Sequence, residues 1–522
     1  MISGADRKGP QVDRPGRDGG RRVGPPNRSR GRSRPDTPQW LGRLAVVLVV
    51  LSTVASAVAF EPRVATAGDD PAGVATVAQV DVDVTALPGS GTAADPYRIA
   101  NASELQAMAD DLDAHYVLVE DVDAAATVTW NGGAGFAPVG NLSSPFNGTF
   151  DGAGYTISGL TIDRGSERWV GLFGAVWSGG TVSDLALEDL AVVGGRSVGG
   201  LVGYNRGGTV TDVAATGAVT GTEDSSIASA GGLVGETRAG TVANATAAVT
   251  VTGEQRVGGL VGYGTVLTGP DGLRLPTVTD ASASGTVTSG GTAGGLIGSA
   301  DGTVTASSAS GGVTGGRFVG GLVGSASQRT TVTDSAASGP VTGEGPVGGL
   351  AGSNAGTVTN ASASGTVTAE GAAGGLVGVN HGTVTASAAT GTVNPYPRVP
   401  PPSVAGVERS AGGLVGWNSD SGTVTDSTAA GAVHGGIYVG GLVGENDGTV
   451  TEATASGNVT GVQLTRREVS IGGLVGLNRG GTVSRSLSTG TVDGTGPPGG
   501  TAFGMGGLVG TNEAGTVTDP TA

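Results

Sequence analysis

One short phrase recurs along most of this sequence: a leucine set between glycines. In its usual form a Gly-Leu-apolar-Gly tetrad follows a further glycine, and successive leucines lie 26 to 38 residues apart. The longer spacings are the 26-residue unit with insertions. A period between about 20 and 50 residues is typical of solenoids, propellers and repeat arrays, in which each unit stacks on the next. The twelve leucines are Leu172, Leu201, Leu233, Leu260, Leu296, Leu322, Leu350, Leu376, Leu414, Leu442, Leu474 and Leu508.

The shortest unit shows how one repeat is built. Residues 350–375 read GLAGSNAGTVTNASASGTVTAEGAAG, with three runs rich in Val, Thr and Ala that Gly, Asn and Ser separate. Three short strands in ~26 residues fit one coil of a parallel β-helix, whereas a propeller blade needs ~40 residues. Parallel crossovers are right-handed in nearly all folds. We therefore predict an all-β chain that forms a right-handed parallel β-helix, a solenoid of about 12 coils, behind a small N-terminal α/β cap.

The repeat also predicts which side chains face the interior. Because the leucine recurs in every unit, it should point inward and stack on the leucine of the next coil. In the recurrent Thr-Val-Thr triplet, alternation puts Val inside and both Thr outside. Asparagine four residues after the leucine, as at Asn354 and Asn380, suits a ladder of stacked amides. The residue three positions after the leucine, such as Val379, should face solvent, and Tyr204, Tyr263 and Trp417 share that position.

These tetrads resemble a known family. GLFG, GLVG, GLIG and GLAG are similar to the GLUG motif, a repeat of secreted and surface-attached bacterial and archaeal proteins. The stretches at 89–109, 136–141 and 146–160 resemble the segment that precedes such repeats. The resemblance covers about residues 85–522 and implies a β-helix with adhesive or structural roles. It implies no catalytic residue, and the chain lacks the H-E-x-x-H motif of the zinc peptidases that carry GLUG repeats.

An apolar run near the N-terminus predicts export. Residues 44–60 read LAVVLVVLSTVASAVAF directly after Arg43, and Ala55-Ser56-Ala57 is a cleavage site of the A-x-A type. A cleaved signal peptide is the first interpretation and an uncleaved N-terminal anchor the alternative, in which case the membrane is contacted only through this segment. Either way the residues after Phe60 are expected outside the cell, secreted or on its surface.

Composition and motif positions divide the chain into five segments. The cap is expected to contain a helix over 102–113 that begins at Asn101, with Glu104 as its capping-box partner. The segments are a basic, disordered extension at 1–43, the signal peptide or anchor at 44–60, an acidic, Ala-rich linker at 61–88, the cap and first strands at 89–165, and the repeat β-helix at 166–522.

Charge is distributed very unevenly. Residues 1–43 hold 11 of the 28 Lys+Arg and 4 of the 44 Asp+Glu, which leaves the rest of the chain with 17 basic and 40 acidic residues, a net charge of −23. Such a surface repels phosphate, which excludes nucleic acid as a partner of the folded part. Every basic residue after Lys8 is arginine, and this acid-rich, lysine-free composition resembles that of proteins from salt-loving, haloarchaeal-type organisms.

Export gives meaning to six N-x-S/T triplets, which we predict as N-glycosylation sites of a glycoprotein. Four insertions, at 221–230, 392–411, 461–471 and 493–505, all precede a tetrad and should leave the solenoid at one corner. The longest carries Tyr396 and Arg398, which are candidate binding-loop residues. The candidate glycosylation residues are Asn101, Asn141, Asn147, Asn244, Asn360 and Asn458.

Candidate catalytic chemistry is sparse. The chain has no cysteine and three histidines, which excludes thiol chemistry and disulfides. Acidic pairs such as Asp69-Asp70, Asp110-Asp111 and Glu188-Asp189 could serve a glycosidase, but they do not recur on adjacent coils. We therefore predict no catalytic, cofactor-binding or metal site. The expected function is that of a secreted or cell-surface, non-enzymatic adhesin-like module or structural spacer, which binds a surface glycan or another cell-surface protein. The alternative is a polysaccharide-acting β-helix enzyme, either a glycosidase or a lyase.

Overall fold

The computed structural model describes residues 82–270, 272–395, 410–462, 469–495 and 503–519. These residues belong to one compact unit, Gly73–Ala522. The predicted extension at 1–43, the apolar run at 44–60 and the loop residues Tyr396 and Arg398 lie outside the described residues. Within them, three parallel sheets run through the repeat, and corresponding strands of successive turns pair side by side. The prediction of an all-β parallel β-helix is confirmed.

The first sheet, called sheet I here, is built from the strands that directly follow the tetrad leucines. It has 12 strands, and each pairs with the strand one turn earlier and one turn later. The strands are Phe173–Trp177, Val202–Arg206, Val234–Arg238, Val261–Thr265, Ile297–Ala300, Val323–Ala326, Ala351–Asn354, Val377–Asn380, Val415–Asn418, Val443–Asn446, Val475–Arg479 and Val509–Glu513.

Sheet II is built from the strands that directly precede the tetrad. It has 11 strands in the same turn-by-turn order. The strands are Ser197–Gly199, Ser229–Gly231, Arg256–Gly258, Thr292–Gly294, Val319–Gly320, Val347–Gly348, Ala373–Gly374, Ser410–Gly412, Tyr438–Gly440, Val469–Gly472 and Phe503–Gly506.

Sheet III holds 34 strands and includes those of the cap. In the cap and the first three repeat turns its strands are Tyr97–Ile99, His115–Leu118, Val122–Asp123, Thr149–Asp151, Thr156–Ser158, Thr161–Arg164, Thr181–Gly194, Thr209–Gly221 and Thr241–Gly253. In the later turns they are Thr277–Thr279, Ser282–Ala283, Val287–Ser289, Thr303–Thr305, Ser308–Ala309, Val313–Gly315, Thr331–Thr333, Ala336–Ala337, Val341–Gly343, Thr357–Thr359, Ser362–Ala363, Val367–Ala369, Thr383–Thr385, Ala388–Ala389, Val393–Pro395, Thr423–Thr425, Thr428–Ala429, Val433–His434, Thr449–Thr451, Thr454–Ala455, Val459–Val462, Thr482–Ser484, Leu487–Ser488, Val492–Thr495 and Thr516–Thr518.

A regular later turn therefore contains five short strands where the sequence predicted three. The extra breaks lie within sheet III. One follows the Thr-Val-Thr triplet, where a residue with positive φ bends the chain, such as Asp334 (φ 51°) or Asn360 (φ 49°). Asp and Asn adopt this left-handed conformation more readily than most residues. A second break occurs at glycines such as Gly365, where an added Cβ would overlap the carbonyl oxygen of Gly339 in the previous turn.

Glycine in the tetrad lets sheets I and II meet closely. A Cβ at Gly375 would overlap the carbonyl oxygen of Gly413 in the next turn and come 3.0 Å from the Ala389 Cβ. The chain therefore reverses from sheet II into sheet I through a turn that a side chain would block. This close approach explains why Gly, rather than Ala, flanks the recurrent leucine.

The cap closes the N-terminal end of the solenoid. Its helix begins as predicted, with the Asn101 side chain accepting from Glu104 N at 3.0 Å, while the Glu104 carboxylate accepts from Ala100 N at 2.7 Å. The helix is shorter than predicted: Ala102–Ala107 is α-helical, and 3-10 turns lie at Met108–Asp110, Val84–Ala86 and Ala125–Gly133, the last with a kink. Aromatic rings concentrate here, for example Phe146 and Phe173 with centroids 4.8 Å apart.

One insertion leaves the solenoid at a corner that the sequence did not predict. Leu267–Gly269 and Gly272–Arg274 pair as an antiparallel hairpin between sheet I and sheet III. This insertion follows its tetrad, whereas the four predicted ones precede theirs. Leu273 and Leu275 on or beside the hairpin are exposed. Among the described residues no helix is long and apolar enough to span a bilayer.

Candidate binding surface

The tetrad leucines form the centre of the repeat core. Eleven of them, from Leu172 to Leu474, have no exposed side-chain area, and Leu508 in the last described turn is partly buried. From Leu201 onward each leucine amide donates to the carbonyl of the next leucine, at 2.8 Å between Leu376 and Leu414. The Val residues of the Thr-Val-Thr triplets, such as Val358 and Val384, are also fully buried. The residues that recur in each turn are thus used by the scaffold.

Asparagine side chains form a second continuous column beside the leucines. The Nδ2 of each donates to the Oδ1 of the next, at 2.9 Å from Asn354 to Asn380 and 2.7 Å from Asn478 to Asn512. The same amides also bond the backbone of the following corner, as in Asn418 Nδ2 to the Gly422 carbonyl at 3.2 Å. These contacts satisfy buried polar groups along six turns, and they assign the asparagines a structural role.

Asn418→Ala is expected to destabilise the later turns by about 2–4 kcal/mol, because it leaves the amides of Asn380 and Asn446 without their ladder partner in a buried site. Amide hydrogen exchange of the turns around residue 418 measures this loss. Asn512→Ala is the matched control, since Asn512 is exposed and bonds only one ladder neighbour. Equal protection in both variants would contradict a stabilising ladder.

The position three residues after the leucine does not face solvent as predicted. Val379 is only 6 % exposed and Tyr204 only 7 %, while Tyr263 and Trp417 are half-buried. In sheet I, Val379 aligns with Ser353 and Trp417 in the neighbouring turns. Neighbouring side chains of a parallel sheet stand ~4.8 Å apart, so each covers the next. The prediction of solvent exposure was wrong because it considered alternation along one strand and not the adjacent turns.

Arginine and aromatic side chains gather on sheets I and II at the N-terminal end of the repeat. Arg206 lies over the ring of Trp177 at 4.6 Å, Arg238 over Tyr204 at 5.7 Å and Arg256 over Tyr263 at 4.4 Å. Trp177, Arg206 and Arg238 align on successive strands of sheet I. We call this cluster the arginine–aromatic patch, and it consists of Trp177, Arg196, Tyr204, Arg206, Arg238, Arg256 and Tyr263.

A buried carboxylate holds the centre of this patch. Glu236 is 2 % exposed and lies between Tyr204 and Tyr263 in the strand register. Its Oε1 accepts from Arg238 Nε at 2.7 Å, and its Oε2 accepts from Ser197 Oγ at 3.2 Å. A buried carboxylate needs such partners to remain charged. The ion pair therefore fixes the Arg238 guanidinium at the surface of the patch.

The electrostatic field of the patch is visible at Tyr204. Burial raises the pKa of the Tyr204 hydroxyl above its usual range. The charge of Glu236 adds to this rise, while the charges of Arg238, Arg206 and Arg196 oppose it. Three guanidinium groups thus lie close enough to act on one phenol. Tyr204 remains a neutral hydrogen-bonding group at neutral pH.

A related cluster in the later turns is neutralised by acids. Arg479 lies 6.0 Å from the Tyr438 ring, but its guanidinium pairs with Glu445 at 2.6 Å and with Glu513 at 3.6 Å. Trp417 there donates to Asp447 at 2.7 Å. Within the residues that the structure describes, the N-terminal cluster differs from this one because several arginines stack on aromatic rings around a single buried carboxylate.

The repeat turns also match a known sequence motif. The sequence profile described as the GLUG motif matches residues 194–220, 345–368, 408–433 and 435–460, and each stretch falls within the turns just described. The chain thus contains repeats of the GLUG motif.

Two proteins with similar sequences contain far more than the matched region. Halomucin of Haloquadratum walsbyi is 40 % identical over 141 residues, which is 26 % of this chain and 2 % of halomucin. A protein named as a Gly-rich membrane protein of Evansella cellulosilytica is 37 % identical over 137 residues, which is 25 % of this chain and 16 % of that protein. This chain therefore matches only a small part of either relative's length.

One solved structure shares a weaker likeness. A crystal structure from Bacteroides ovatus, described as an immunoglobulin A1 protease, is 18 % identical, with 63 % of this chain and 85 % of that chain covered and a TM-score of 0.35. At that score the likeness carries no argument about fold or function.

The predicted glycosylation residues all lie on the surface of the GLUG-repeat unit and its cap. Each of the six asparagines is exposed. Asn244 and Asn360 occupy the same corner, where their amides donate to Asp212 and Asp334 of the preceding turn. Asn101 caps the helix, Asn147 donates to Asp113 at 3.1 Å, and Asn141 and Asn458 accept from backbone amides.

The acidic residues proposed for an enzyme alternative are not brought together. Asp110-Asp111 lies in the cap and Glu188-Asp189 is exposed on sheet III, while Asp69-Asp70 lies outside the described residues. In the described part of the chain no three His, Asp or Glu side chains are arranged to hold a metal ion.

Sequence reasoning missed the arginine–aromatic patch, although the GLUG spacing contained a signal for it. Trp177, Arg206 and Arg238 each stand five residues after their tetrad leucine, and Arg196 and Arg256 stand five and four residues before theirs. Counting from the leucine would have placed these residues in register. That sheets I and II bring the two sets together is a property of the fold.

Proposed function

We propose that this GLUG-repeat protein acts at the cell surface as a non-enzymatic spacer and adhesin-like binding module. One observation carries the proposal: the tetrad Leu and the triplet Val, which recur in every described turn, are buried in nearly all of them, and so are the ladder Asn residues of the later turns except Asn512, whereas many exposed residues vary from turn to turn. In a repeat scaffold of this kind the buried residues maintain the fold, and the exposed residues of each turn can differ in their binding properties.

The relatives support a surface location. One is named halomucin and the other a Gly-rich membrane protein, and the apolar run at 44–60 is predicted to direct export. The acidic composition, with 40 acidic residues after position 43, favours hydration and solubility of an exposed protein in strong brine. The asparagines of all six sequons are exposed and can accept glycans, so we propose that the protein is a glycoprotein.

The arrangement of buried carboxylates supports a binding role over glycoside hydrolysis. Glycosidases place two carboxyl groups about 5–9.5 Å apart across the scissile bond. The buried carboxylates Glu236 and Glu445 lie on strands seven turns apart, which is roughly 34 Å at ~4.8 Å per turn. Each also forms an ion pair with an arginine, Glu236 with Arg238 and Glu445 with Arg479.

A binding and turnover experiment on one set of samples tests the proposal. The full chain is immobilised and exposed to a panel of cell-surface polysaccharides, and bound mass is recorded by interferometry. The same mixtures are assayed for new reducing ends and for the absorbance of unsaturated uronates. Binding without product release is expected. Release of either product in proportion to protein would replace the spacer and adhesin assignment with that of a glycosidase or lyase.

A further inference from the structure

We propose that the arginine–aromatic patch binds an acidic polysaccharide, a chain of sugars that carries carboxylate or sulfate groups. This inference deepens the proposed function by naming the surface and the class of ligand. The patch reverses the local sign of charge on a unit that is otherwise strongly acidic. Four of the 12 arginines in the described ranges lie in it, and Glu236 is the carboxylate at its centre.

The arginines of the patch are available to a ligand. Elsewhere in the described turns and cap, five arginines pair with carboxylates, four of them at 2.6–3.0 Å, while Arg168, Arg274 and Arg317 form no ion pair there. Arg196, Arg206 and Arg256 form no ion pair within the described residues, and Arg206 and Arg256 instead stack on aromatic rings. A guanidinium that stacks on an aromatic ring has its plane fixed parallel to the ring. Its N–H groups lie in that plane and can donate two hydrogen bonds to one oxyanion.

Unpartnered donors in the patch point independently to an acceptor-rich ligand. The indole N–H of Trp177 and the Nε of Arg196 are both shielded from solvent and have no hydrogen-bond partner among the described residues. The hydroxyls of Ser229 and Thr237 on the adjoining strands are also shielded and unpartnered. Buried donors without acceptors are rare in native structures and call for an explanation. Oxygen atoms of a bound sugar acid would satisfy the two nitrogen donors once the side chains that cover them shift on binding.

The repeat geometry favours a polymer. Trp177, Arg206 and Arg238 align in one column across three successive turns. Tyr204, Glu236 and Tyr263 align in a second column, with Glu236 between the two tyrosines. Successive turns are ~4.8 Å apart, so the cations recur at short, regular intervals along the solenoid. A polysaccharide that repeats its negative charge along the chain complements such a column. The half-buried rings of Tyr263 and Trp177 offer apolar surface to the sugar C–H groups.

The test compares matched arginine variants on polysaccharides of defined charge. Arg206→Gln with Arg256→Gln removes two stacked cations that make no hydrogen bond to the rest of the chain, so the fold should be retained, and circular dichroism checks this. Arg485→Gln is the control, because it removes the same kind of charge from an exposed site at a distant corner. Polygalacturonate, dextran sulfate, neutral dextran and single-stranded DNA are the probes.

Wild-type protein and Arg485→Gln should bind polygalacturonate or dextran sulfate, and which of the two is preferred identifies the anion. The double variant should lose affinity by about 10-fold or more. Absence of binding to both acidic polysaccharides, equal binding by the double variant and the control, or equally tight binding of DNA would each overturn the assignment. Any of these results would refute the binding site but not the spacer role. Release of reducing ends or unsaturated uronates in the polysaccharide assay would refute the spacer role but not the binding site.

Discussion

Leu376→Ala is expected to lower the free energy of opening of its own turn by about 2–5 kcal/mol, the usual loss for a fully buried leucine. Leu376 has no exposed area, and its amide and carbonyl lie in the backbone column that joins Leu350 to Leu414. Small residues surround it: Gly375 would contact Ala389 across the interior if it had a Cβ. The thin core has little freedom to collapse into the cavity, which places the loss toward the upper part of the range.

The damage should remain local, because each turn of a solenoid contacts only its neighbours. Hydrogen exchange and limited proteolysis should therefore report opening near residues 350–395, with the cap and the last turns still protected. Thr366→Ala is the matched control, because Thr366 is exposed directly before the strand Val367–Ala369 of the same turn. Its effect should stay within about 0.5 kcal/mol. Val379→Ala should fall between the two, because Val379 is buried between Ser353 and Trp417 of the adjacent turns but loses a smaller side chain than Leu376 does. Equal losses in Leu376→Ala and Thr366→Ala would refute the assignment of the leucine column to the core.

Transfer to low salt is expected to abolish the cooperative unfolding transition. The chain after residue 43 carries a net charge of −23, and at ~10 mM salt the Debye length is ~30 Å, so these carboxylates repel one another across several turns. At ~1 M salt the length falls to ~3 Å and the repulsion is screened. Thermal unfolding followed by circular dichroism over this range of NaCl measures the effect. A transition of unchanged midpoint and sharpness at ~10 mM would refute it.

A single substitution localises this repulsion. Asp184 and Asp212 occupy the same exposed corner on adjacent turns, as the pairing of Ser183 with Thr211 shows. Asp184→Asn removes one of these like charges and keeps a residue that tolerates the left-handed conformation found there (φ 53°). We expect the variant to raise the midpoint at low salt and to leave it nearly unchanged at ~1 M. An equal gain at both salt concentrations would show that conformational preference, and not charge, is responsible.

The sequence by itself determined the solenoid and most of its core. The 26-residue period, lengthened by insertions, defines one turn of the solenoid. Alternation within Thr-Val-Thr defines which face of the strand is buried, because side-chain direction alternates along a single strand. The burial of Leu376 and Val358 and the amide ladder through Asn380 follow directly from residues that recur in each unit. These features are local or repeat exactly once per turn, so a linear pattern is sufficient to predict them.

Only the tertiary structure decided how the files of side chains meet. The left-handed corner at residues such as Asp334 and the glycine bend at residues such as Gly365 divide sheet III and add two strands to each regular later turn. Neighbouring turns bury Val379, and the glycine-lined turn brings Arg256 from sheet II beside Tyr263 of sheet I. Burial of Glu236 between two tyrosines depends on the register of three strands. Such contacts join residues that are far apart along the chain, and the angle of each corner, which the repeat period does not encode, determines which of them face one another.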